Sequence, residues 1–139
     1  MKPLGERIQS VEALLGADLP TRYRTFLSHP FSQPAQLLIF PSDGREFTVQ
    51  DFLRLDDGAG YLQLDSVYER VGHALPKGLI PFASDIAGDF YCIVLSGAKA
   101  GRIVWWDHER DVGDDHVEDV AASLDDFMSS LTVFSDDDA

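Results

Sequence analysis

The chain has 139 residues, 45% of them apolar, with nine Phe, four Tyr and two Trp, enough to build a proper core in one folded unit. No run approaches the roughly 18 apolar residues of a membrane-spanning helix, residues 1–7 lack a signal-type apolar stretch, and the single Cys92 rules out an internal disulfide, so a cytoplasmic protein is expected. The net charge of −13 is uneven: residues 1–106 carry 12 acidic and 10 basic side chains, whereas residues 107–139 carry 12 acidic ones and only Arg110, a field that disfavours nucleic acid and anionic membrane and favours a basic protein partner, with mere solubility as the equally weighted alternative.

Ile8, Val11, Leu14 and Leu15 recur at helical spacing, and Gly16 is placed to end that helix. Asp18-Leu19-Pro20 can start a second helix, with Tyr23, Phe26 and Leu27 on one face and Pro30 as its stop. Residues 37–40 and 46–49 read as two strands joined through the turn chemistry of Pro41-Ser42-Asp43-Gly44. The Gly-rich stretch 51–64 reads as a loop. Ser66 and Glu69 fit a capping box for a third helix carrying Val67, Val71 and Leu75, with Pro76 as its stop.

Three further strands are expected at residues 79–83, 90–95 and 102–106, and Pro81 marks the first as an edge or irregular strand. An acidic loop then spans 107–119. Ser123 and Asp126 fit a second cap, and Leu124, Phe127, Met128 and Leu131 give a closing amphipathic helix. The fold class expected is α+β, a single mixed and mostly antiparallel sheet with helices packed on it, over residues 1–134, with 135–139 as an acidic disordered tail.

Catalytic chemistry finds little support. There is no Gly-x-Ser-x-Gly elbow, no Gly-Lys-Ser/Thr phosphate loop, and Cys92 sits inside an apolar strand, where a cysteine behaves as a small hydrophobe. Metal binding is the stronger rival, because Asp107, His108, Glu109, Asp111, Asp114, Asp115 and His116 crowd into ten residues. A calcium loop laid from Asp107 to Glu118 fails at its sixth position, where Val112 replaces the required Gly, and His-Glu-x-x-His is not met. A solvated acidic loop is therefore preferred to a metal site, and no cofactor is expected. Trp105 and Trp106 are adjacent in a strand and must point to opposite faces. Either both faces are covered, or one indole lies open beside the acidic loop as a binding anchor.

Four ordered segments together resemble the SUKH superfamily, which includes the fungal Smi/Knr cell-wall regulators and many bacterial immunity proteins. They are Leu19-Pro20 with Tyr23, Phe26 and Leu27; Leu79-Ile80-Pro81-Phe82-Ala83 with Asp85, Gly88, Tyr91-Cys92 and Leu95; Gly101, Ile103 and Trp106-Asp107-His108-Glu109; and Ser123, Leu124, Phe127 and Leu131. Residues 28–34 depart from the glycine-containing turn common after the second helix of the family. The resemblance implies no catalysis and no cofactor, and for bacterial members it implies neutralisation of a toxin by direct binding. The charge division adds a basic nuclease as the toxin class, with a scaffold or interaction module of the same fold as the alternative. The expected partner-binding residues are Asp85, Asp89, Trp106, Asp107, His108, Glu109 and Asp111.

Overall fold

The computed structural model describes residues 3–28, 38–42, 45–56, 58, 60–107 and 117–133. Helix α1, Leu4–Leu15, buries Val11 and ends at Gly16, whose left-handed φ of 71° lets its N–H return to the Glu12 carbonyl at 2.9 Å. The Glu12 side chain then accepts the Leu19 N–H at 2.7 Å, tying the end of α1 to the entry of α2, Thr21–Ser28. Helix α2 follows Pro20 as its sequence requires and buries Tyr23 and Leu27.

The strands form two antiparallel sheets. In the first, β2 (Arg45–Val49) pairs with β1 (Leu38–Ser42), which also pairs with β8 (Thr132–Val133). The second runs in the order β3 (Asp51–Phe52), β4 (Leu79–Ser84), β5 (Phe90–Val94), β6 (Ile103–Trp106), β7 (Val117–Ala121). The α+β class is as expected, but the strands divide between two sheets where one was anticipated. The division falls at Gln50: the chain leaves β2, the Gln50 N–H bonds the Ser84 carbonyl at 2.8 Å, and the next two residues pair with β4. One continuous stretch, 45–52, thus serves both sheets.

Helix α4, Leu124–Ser130, joins the layers. The Ser123 hydroxyl accepts the Asp126 N–H at 3.1 Å, the cap that the sequence pattern signals. This start aims the fully buried Phe127 into the core, where its ring lies 5.1 Å from Phe40 of the first sheet and 5.3 and 5.4 Å from Phe82 and Tyr91 of the second. The Tyr91 hydroxyl donates to the Thr48 carbonyl at 2.6 Å, a second tie between the sheets.

Several local expectations change. Within 51–64, thought to be loop, lie β3 and a 3-10 turn at Gly60–Leu62, because Arg54 pairs with Gln63 and the Leu64 N–H bonds the Arg54 carbonyl at 2.7 Å. Helix α3 is Leu64–Val71 and starts two residues before Ser66. Its N-cap is Gln63 with no side-chain cap bond, so the Ser66–Glu69 capping box does not form; burial of Leu64 sets the start instead. Pro81 sits at a register shift in β4, the irregular strand its missing N–H calls for. The end of the supposed acidic loop is strand β7, since Val117, Glu118 and Asp119 pair with β6. The turn Asp43-Gly44, Pro30, residues 108–116 and the tail 135–139 lie outside the described residues. No helix among the described residues is long and apolar enough to cross a membrane.

Candidate functional site

Strand register decides which acidic groups meet. Ser84 pairs with Phe90, Phe90 with Trp106, and Trp106 with Val117, so the β4–β5 turn, the exit of β6 and the entry of β7 share one end of the second sheet. The chain therefore leaves β6 at Asp107 and enters β7 at Val117 at the end that carries Asp85 and Asp89, with five acidic residues and one Arg between Trp106 and Val117 in the sequence. Lys99 and Arg102 lie around the β5–β6 turn at the opposite end, where both approach Asp119, at 3.8 and 3.7 Å. The sheet is thus polarised along its strands, acidic at one end and basic at the other.

The β4–β5 turn is built around the Asp85 carboxylate. One oxygen accepts the Ala87 and Asp89 N–H groups at 2.9 and 2.8 Å, the other accepts the Trp105 indole Nε1–H at 2.9 Å. The Asp85 N–H bonds the Asp89 carbonyl at 2.8 Å, and Gly88 takes φ 90°, a conformation that disfavours any side chain. The Ile86 N–H reaches the Thr48 hydroxyl at 3.3 Å, anchoring the turn to β2. Ile86 itself stands at the tip with 64% of its surface exposed.

Four of the seven residues proposed from sequence have a definite place. Asp85 is half-buried and Asp107 half-buried at the exit of β6. Asp89 and Trp106 are buried, at 7% and 5% exposure, and the Trp106 ring stacks with Phe90. The half-exposed indole belongs to Trp105, which packs against Phe47 and points its N–H at Asp85. His108, Glu109 and Asp111 lie outside the described residues. The sequence weighs Trp105 beside Trp106 but places only Trp106 among the site residues, and it does not single out Ile86 or Thr48. The signal for Trp105 was present in the strand alternation, since its face is opposite that of Trp106. Asp51, at the β3 edge of the same end, has its carboxyl raised above the usual range by burial.

The sequence model of the SMI1 / KNR4 family (SUKH-1) matches residues 3–130, from the cap of α1 to the last residue of α4. The chain belongs to this family. The match spans every element described above except β8. The sequence matches no curated protein. SUKH proteins are in general immunity or regulatory proteins rather than enzymes, and membership is consistent with immunity-type protein–protein binding.

Two other regions of the SUKH domain have defined chemistry. The Arg7 guanidinium forks onto Asp65 at 3.1 Å and reaches the Gln63 side chain and the Asp56 carbonyl, both at 2.9 Å, holding the 54–63 segment against α1. A cavity of about 230 Å3 between α2, β5 and the start of α4 is lined mainly by apolar groups of Pro20, Tyr23, Ile93 and Leu124. The Tyr23 hydroxyl is fully buried and has no hydrogen-bond partner among the described residues. The Cys92 thiol is also fully buried, which pushes its pKa far above the ordinary thiol range. Among the described residues no cluster of His, Cys, Asp and Glu could hold a metal ion.

Proposed function

We propose that this SUKH domain, spanning residues 1–134, neutralises a toxin effector domain by direct binding in the cytoplasm, and that it engages the toxin through the acidic end of its second sheet. The observation that carries this reading is the shared sheet end of the Asp85 turn and the 107–119 segment. Asp85, Asp107, His108, Glu109 and Asp111 form the contact surface, while Asp89 and Trp106 support it from within. A basic toxin is the partner that such a surface selects, and a nuclease is the class whose phosphate-binding groups these carboxylates would occupy. No cofactor takes part. Complementary charge raises the encounter rate and suppresses wrong partners more than it raises affinity.

The test is to co-express this chain with the product of the adjacent reading frame and follow growth. Rescue from a toxic neighbour, together with a purified one-to-one or higher complex, is the expected result. A harmless neighbour that forms no complex would sink the immunity reading and leave a scaffold module of the same fold.

A further inference from the structure

We propose that Ile86 is the apolar anchor of the interface, seating in an apolar socket ringed by basic groups on the partner protein. This rests on the proposed engagement of a partner at the same sheet end and goes beyond it by naming the residue that sets the lifetime of the complex. Among the described residues, four large apolar side chains are exposed, Leu14, Tyr61, Ile86 and Val117, and two of them, Ile86 and Val117, lie at the acidic end. A single exposed apolar side chain is ordinary on a protein surface, but one bordered by carboxylates has the composition of an interface core with its polar rim.

Ile86 also differs from a loose surface residue in how it is held. Its own N–H and those of Ala87, Gly88 and Asp89 all have acceptors, and the carboxylate that organises them is itself fastened to the Trp105 indole. The turn is therefore ordered before any partner arrives, and burying the side chain costs little further backbone entropy. A rigid aliphatic side chain standing out by 64% of its surface buries most of that area only in a concave socket.

The charge around it fixes the rest of the partner's chemistry. Asp51, Asp85 and Asp107 share this end of the sheet, and Lys99 and Arg102 lie at the far end. A socket whose rim is acidic or neutral would meet repulsion or uncompensated desolvation here, whereas a basic rim is matched.

The experiment measures association and dissociation rates separately, using the purified product of the adjacent reading frame as the probe. Ile86→Ser is compared with Tyr61→Ser, which removes an equally exposed apolar residue elsewhere, and with the charge variant Asp107→Asn/Glu109→Gln/Asp111→Asn. Equal thermal midpoints establish that both serine variants are folded. The expected result is a dissociation rate raised roughly tenfold or more by Ile86→Ser, with association within about twofold of wild type and Tyr61→Ser unchanged. Slowed association in the charge variant with unchanged dissociation in Ile86→Ser overturns the anchor while the acidic engagement stands. An equal effect of Tyr61→Ser and Ile86→Ser overturns it as well. Absence of any complex with the wild-type chain overturns the engagement itself, and the anchor with it.

Discussion

Replacing Asp85 with Ala removes one carboxylate and leaves three donors without an acceptor. Their environments differ. The Ala87 N–H is exposed and water replaces the lost bond at little cost, whereas the Asp89 N–H and the Trp105 Nε1–H are partly buried. A hydrogen bond to an ionised group contributes about 1.5–3 kcal/mol, and partial access to water puts these two at the lower end of that range. The expected loss on Asp85→Ala is therefore about 3 kcal/mol. Asp85→Asn keeps an acceptor for the turn but presents an amide NH2 to the indole N–H, donor against donor, and is expected to cost about 1–2 kcal/mol. Trp105→Phe removes the opposing donor, so part of that cost should vanish in the double variant. Urea unfolding followed by circular dichroism measures each term. Stability of Asp85→Ala within about 0.5 kcal/mol of wild type, at equal denaturant slope, would refute the role given to this carboxylate.

Three other outcomes follow from buried or tethered groups. Tyr23→Phe removes a hydroxyl that is buried without a partner among the described residues and should raise stability by about 1 kcal/mol, read as an increased urea midpoint; a clear loss would mean that the hydroxyl has an acceptor. For Glu12 and Asp56, burial raises the carboxyl pKa but is outweighed, by the Leu19 N–H and Arg24 at Glu12 and by Gln63, Gly58 and Arg54 at Asp56, so both lie below their ordinary values of 4.5 and 3.8. Their stabilisation is present above those values and is lost as pH falls through the lowered ones, so Glu12→Gln and Asp56→Asn should flatten the acid side of a stability-against-pH curve. Cys92 should react with a thiol reagent only at the rate of unfolding, and labelling of the native protein at the rate of a free thiol would contradict its burial.

Local periodicity made α1, α2 and α4 legible, and the Ser123 cap gave α4 its start to the residue. The start of α3 was not legible, because it depends on Arg54 and Gln63 meeting across the 54–63 segment and on burial of Leu64, none of which is a local signal. Strand β7 was hidden for a similar reason. Val117-Glu118-Asp119 has a solvated composition, and only β6 as a neighbour makes it a strand. At the site, the acidic character was plain from the charge count, but which of two adjacent indoles is buried depends on what covers each face. The Asp85-Ile86-Ala87-Gly88 turn carried the Asp and Gly chemistry of a tight turn. Its carboxylate was read as a partner contact, and the three donors it gathers, one from β6, became visible only with the sheet register.

The most direct test of the account is the salt dependence of association between this chain and the product of the adjacent reading frame, measured by stopped flow. The account predicts a rate that falls steeply with ionic strength and drops roughly tenfold or more at low salt in Asp107→Asn/Glu109→Gln/Asp111→Asn. An association rate indifferent to salt and unchanged in the triple variant would contradict engagement through the acidic sheet end.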